Sequence, residues 1–178
     1  VRQQSATLDW SLQFALDHIS YQEFIDTRLS WTQADLDLGL HWKASETHDF
    51  NFGIGARLNH DELKGTPYVW LDPAELTERW LSGYVQDDIS IIPNRLRLTL
   101  GAKLEQNNIT GFEVQPNARI FYRPVQNFAM WASASRAVRP PSRYERAAVV
   151  DVNLQPPNSA LNPLPLPMRT RLIGNPDR

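Results

Sequence analysis

A two-residue alternation of apolar and polar side chains, sustained over segments of about nine to eleven residues, constrains this chain more than any other feature. In residues 113–123, Val114, Ala118, Ile120 and Tyr122 alternate with Glu113, Gln115, Asn117, Arg119 and Arg123. That is the period of a strand with one apolar face, and a helix would not sort the residues this way. Residues 124–127 supply turn chemistry, and a second strand runs from Phe128 to about Val138. Pro140 and Pro141 have no N–H to donate, so the ladder stops there.

Five further strands follow from the same pattern. Ala6, Leu8, Trp10, Leu12, Phe14 and Leu16 share one face of a first strand. Leu36, Leu38, Leu40 and Trp42 then oppose Asp35, Asp37, Gly39, His41 and Lys43, and after a polar turn at 44–49 the chain returns with Phe50, Phe52, Ile54, Ala56 and Leu58 in phase. A less regular strand at 80–92 places Val85, Ile89 and Ile91 together, and after the turn at 93–95 Leu96, Leu98, Leu100, Ala102 and Leu104 alternate with polar partners. These arms are long enough to span a bilayer as tilted strands. Residues 17–30 and 60–79 read as longer connections, and Asp72-Pro73-Ala74-Glu75 carries the N-cap, N1 proline and early acid of a short helix over 73–80.

The chain of 178 residues is 42% hydrophobic and 21% charged, which suits a water-soluble protein equally well. A barrel wall averages out in the same way, because outward apolar residues alternate with polar lumen residues. No apolar run approaches the roughly 18 residues of a spanning helix. A net charge of −2 gives no reason to expect nucleic acid, and the absence of cysteine removes disulfides and thiolate chemistry. The chain opens at Val1 without a signal peptide and closes in loop-like sequence, so it reads as a piece of a longer precursor.

Four phrases stand out along the chain: Tyr84-Val85-Gln86-Asp87-Asp88-Ile89, Gln115-Pro116-Asn117-Ala118-Arg119, Ser135-Arg136-Ala137-Val138-Arg139 followed by Pro141-Ser142-Arg143, and Gly174-Asn175-Pro176-Asp177. Together, in that order, they resemble the barrel domain of TonB-dependent outer-membrane receptors, the bacterial importers of iron chelates, cobalamin and similar scarce ligands. The resemblance covers about residues 36–146. It implies an all-β fold, an antiparallel up-and-down meander of about seven strands forming part of a large transmembrane barrel. It also implies outer-membrane lipid as surroundings, the TonB complex as a partner acting through a plug domain absent from this chain, and an iron chelate, most simply a ferric siderophore, as ligand. Residues 1–138 would then be barrel strands and their connections, and 139–178, rich in proline, a mobile extracellular loop. Tight turns would face the periplasm and long connections the exterior. An isolated open sheet of this kind is expected to self-associate.

Candidate chemistry is sparse. His18, His41, His48 and His60 lie on different segments without metal-ligand spacing, and no nucleophile, base and orienting group can be assembled, so neither a metal, a cofactor nor a catalytic residue is assigned. Arg136, Arg139, Arg143 and Tyr144 follow a strand end at the expected outer mouth, and Tyr68, Trp70 and Trp80 occupy the other long outer connection. Cations there could attract an anionic chelate and aromatics could stack on it. The competing account pairs the arginines with strand acids or lipopolysaccharide phosphates and puts the aromatics in an interfacial girdle. A passive porin-like barrel, or a soluble all-β binding module, would share the alternation.

Overall fold

The computed structural model describes residues 2–3, 7–22 and 28–175, with side chains from residue 7 onward. Ala6, the segment 23–27, Pro176 and Asp177, all used in the sequence reading, lie outside the described residues. The alternating segments form β1 (Arg2–Gln3), β2 (Leu8–Gln22), β3 (Arg28–Lys43), β4 (His48–Lys64), β5 (Val69–Leu71), β6 (Glu75–Ile92), β7 (Leu96–Asn107), β8 (Gly111–Val125) and β9 (Phe128–Ser135). All but β5 pair in one sheet of order β1-β2-β3-β4-β6-β7-β8-β9. The seven long strands are the seven read from the alternation, and β1 adds two residues at one edge. From β6 to β9 each strand runs antiparallel to the next.

Register fixes which residues share a face, because direct cross-strand partners point the same way. Ile89, Leu98, Ile120 and Ala132 form one row across β6 to β9, and Leu104 pairs with Val114 further along. Trp42 and Phe50 stack beside the β3–β4 turn with ring centroids 5.7 Å apart. The opposite face is polar: Ser90, Arg97, Phe121 and Trp131 form a row, and Asp88, Thr99, Arg119 and Ser133 form the next. The apolar face stays uncovered. Phe14, Leu16, Ile54 and Leu81 are each 61–67% exposed, whereas a soluble sandwich would bury such residues under a second sheet.

The chain divides into two compact units, the first comprising Val1–Leu16, Gln33–Leu58 and Glu78–Arg139. In it the polar face is stitched by ion pairs. Arg57 pairs with Asp35, Lys103 with Glu105 at 2.7 Å, and Arg136 with Glu113 at 3.0 Å. Glycines on this face make room for neighbours. A Cβ on Gly53 would fall 2.8 Å from the Tyr84 ring and 2.5 Å from the Leu38 carbonyl, and one on Gly39 would meet the Tyr84 hydroxyl at 3.8 Å. One aromatic ring thus lies across two glycines on neighbouring strands.

The second unit, Asp17–Thr32, Asn59–Thr77 and Pro140–Arg178, departs most from the sequence reading. The expected helix over 73–80 is instead the start of β6. Its capping signals are local, while β4 lies beside β6 in the sheet and β7 joins on the other side from Trp80 onward. The connection at 17–30 is mostly strand too, since β2 runs to Gln22 and β3 begins at Arg28. Regular structure also resumes after Pro141, where none was expected. Ser142 caps α1 (Arg143–Ala147) in a capping box with Glu145, and β10 (Ala148–Gln155) pairs with β11 (Met168–Ile173) on one side and β5 on the other. The proline-rich stretch at 156–167 is the loop between β10 and β11. Leu63, Leu71 and Ala147 form a small buried core here, with Leu29 and Ala148 packed against it.

Candidate functional site

The polar face of β6 to β9 presents the most developed surface in the first unit. Three cross-strand rows line a cleft of about 770 Å³: Ser90–Arg97–Phe121–Trp131, Asp88–Thr99–Arg119–Ser133 and Gln86–Gly101–Asn117–Ser135. The two aromatics break the alternation, since they occupy the polar face, and each holds a guanidinium. Arg119 lies 5.6 Å from the Trp131 ring centroid and Arg123 lies 5.5 Å from that of Phe121. The acid in the cleft, Asp88, accepts hydrogen bonds from Thr99 Oγ1 and Gln86 Nε2. The β9 side chains Ser133, Ala134 and Ser135 that line it are small, and the Asn117 amide lies over Gly101.

Sequence reasoning did not single out this cluster. The available signal was the phase: Phe121 and Trp131 are large aromatics on the polar half of otherwise orderly strands, with arginines two residues from Phe121 on the same face.

The residues that the sequence did single out divide between the two units. In the first, the Arg136 guanidinium binds the Glu113 carboxylate and the Val114 carbonyl, so it turns to the polar face. Arg139 is exposed beyond β9, and Trp80 is half-buried opposite Asn107. In the second unit, Arg143 is spent on structure. Its Nε donates to Asp61 Oδ1 at 2.9 Å and its Nη2 to the Pro73 carbonyl, with side chains only 13% and 8% exposed for Arg143 and Asp61. Tyr68 and Tyr144 stand 64% and 51% exposed.

Trp70 carries a neighbour that sequence reasoning missed. The Arg171 guanidinium lies 4.8 Å above its ring, donates to Asp151 Oδ1 at 2.8 Å, and shares that carboxylate with Arg169. The hydrogen bond from Arg171 holds the Asp151 carboxyl below its ordinary value, with the charges of both arginines adding to the effect. Arg169 and Arg171 sit two apart on β11, the spacing that puts both on one face.

The histidines remain separate. His18 bonds Thr32, His60 bonds Thr77, His41 bridges Asp9 and Asp49, and His48 bonds Asp87 at 2.7 Å. Asp87 shares its row with Leu100, Ala118 and Ala134, a charged residue in the apolar face.

A long antiparallel meander with one uncovered apolar face and one charged, cleft-bearing face is the wall of a membrane β-barrel. No helix among the described residues is long and apolar enough to cross a membrane. The chain belongs to the TonB-dependent receptors: the family model for the TonB dependent receptor-like β-barrel matches residues 2–170. No curated protein and no solved structure matches it. Membership assigns the protein to outer-membrane receptor transport and its parent to the bacterial outer membrane.

Proposed function

We propose that the chain is part of the wall of a receptor that imports a ferric siderophore, or a similar anionic iron chelate, through a plugged barrel gated by the TonB complex. The observation that carries the reading is the family match over residues 2–170 on a sheet whose two faces suit lipid and lumen. In this reading the exposed Tyr68 and Tyr144 of the second unit supply stacking surface for the ligand. Arg136 in the first unit and Arg143 in the second are held by Glu113 and Asp61 respectively and serve structure. Trp70 backs the Arg171 guanidinium and Trp80 braces the strand end.

The test is growth on chelated iron. Cells lacking the gene should fail to grow on one or more ferric siderophores as sole iron source, and Tyr68→Ala with Tyr144→Ala should weaken binding of that siderophore to the purified receptor. Constitutive ion conductance in planar bilayers, with no defect in iron-limited growth, would reassign the barrel to passive diffusion.

A further inference from the structure

The uncovered apolar face of the first unit is not evenly filled. Phe14 on β2 and Leu81 on β6 stand 67% and 61% exposed, and between them β3 and β4 carry the small side chains Ala34 and Ala56. A groove of about 520 Å³ runs over those two alanines, with Leu36 and Leu58 completing its apolar lining. By the alternation of their strands these side chains all belong to the lipid face. The groove therefore opens away from the lumen, where a domain filling the barrel would not reach it. Its floor lies on β3 and β4, between the long strands β2 and β6.

One end of the groove is polar. Leu81 pairs with Gln106, and Arg79, two residues before Leu81 on β6, shares its face. Gln106 and Arg79 are exposed and line the groove where the apolar rows of the wall give out. Phe112, the partner of Gln106 on β8, is 61% exposed and marks the same level with an aromatic ring, as at a membrane interface. The Arg79 backbone amide donates to Asn108 Oδ1 at 2.9 Å, so the β7–β8 turn fixes the strand that carries the guanidinium. On a lipid face a cation is costly at mid-bilayer and nearly neutral at the interface, where a headgroup anion meets it. An apolar groove that ends at this level in a guanidinium and an amide suits one acyl chain with a phosphate at its head.

We propose that this groove is a specific lipid site, seating one acyl chain of a phosphorylated glycolipid of the outer leaflet, with Arg79 and Gln106 on its phosphate. The leaflet follows from the turns. The polar end lies beside the β7–β8 turn, at the opposite end of the strands from the tight β3–β4, β6–β7 and β8–β9 turns, and such barrels turn tightly on the periplasmic side. The site rests on the outer-membrane placement and not on which ligand the receptor imports, so a failed siderophore assignment leaves it standing.

The experiment is native mass spectrometry of the intact receptor, extracted from outer membranes into detergent and titrated with bis-phosphorylated lipid A, with its phosphate-free form, or with phosphatidylglycerol. A retained one-to-one adduct is expected with the bis-phosphorylated lipid, and about tenfold weaker retention of the phosphate-free form, through loss of charge-assisted hydrogen bonding. Arg79→Gln should weaken the adduct by a similar factor. Ala56→Trp fills the floor of the groove and leaves Arg79 in place; it should abolish the adduct, and it reads out even if Arg79→Gln does not assemble. Leu100→Trp, on the same face but outside the groove, should leave retention unchanged. Circular dichroism checks that each variant is folded. Absence of a retained adduct, or equal retention in the folded Arg79→Gln and Ala56→Trp variants, overturns the proposal. Equal retention of phosphatidylglycerol also overturns it, and would make the wall a general lipid surface.

Discussion

Arg143 Nε donates to Asp61 Oδ1 across 82 residues of chain, and the same guanidinium caps the Pro73 carbonyl. Both side chains are nearly buried, so one residue of α1 ties the end of β4 to the chain entering β6. Breaking such a pair leaves a charge without compensation. Arg143→Met is expected to destabilise the second unit by about 3–5 kcal/mol, and adding Asp61→Leu should recover much of the loss. Urea unfolding followed by proteolysis of residues 140–178 measures both.

The Asp151 carboxylate gives the β10–β11 sheet an acid limit. Its hydrogen bond from Arg171 places the folded value below the ordinary 3.8, so the unfolded sheet takes up a proton more readily than the folded one. The stabilisation is therefore complete above the unfolded value and is lost as pH falls through the folded one. Amide hydrogen exchange in β11 should accelerate as pH drops below about 4, after correction for the intrinsic rate. Asp151→Asn should show fast exchange at every pH and no such transition.

Asn162 is fully buried, and its side-chain amide donates to the Gln155, Pro156 and Leu166 carbonyls while its oxygen accepts from the Leu164 amide. Asn162→Ala would leave these backbone groups without partners at a cost of about 1–3 kcal/mol. Limited proteolysis should then cut within 156–167 much faster, with β6 to β9 unaffected.

Lipid exposure makes the two faces respond differently to one substitution. Ile54 is 61% exposed at the middle of the apolar half of β4, and Asn51 lines the polar half. Ile54→Arg should cost about 2–4 kcal/mol in the vesicle refolding equilibrium, and Asn51→Arg under about 1 kcal/mol. Equal effects would point to water on both faces.

The same contrast explains what could be read in the sequence. Leu36 to Trp42, Phe50 to Leu58 and Leu96 to Leu104 announced β3, β4 and β7 because one face must be apolar along that span. Beyond it both faces meet water, and the code vanishes while the strand continues: His18, Ser20 and Gln22 are as much part of β2 as Leu12. The start of β6 was hidden by the Asp72-Pro73 capping signature, a local preference that ladder pairing overrides. Arg169, Arg171 and Asp151 were illegible as a cluster because they meet across an aperiodic loop. The cleft arginines looked like ordinary lumen residues, and only the misphased Phe121 and Trp131 marked them.

Tyr84 touches the vacant positions above Gly39 and Gly53, so a single ring spans β3, β4 and β6. It is a built-in gauge of strand spacing. A fluorine placed on that ring would report, as a chemical shift, any ångström-scale slippage among three strands of the wall while ligand, lipid or force acts elsewhere on the receptor.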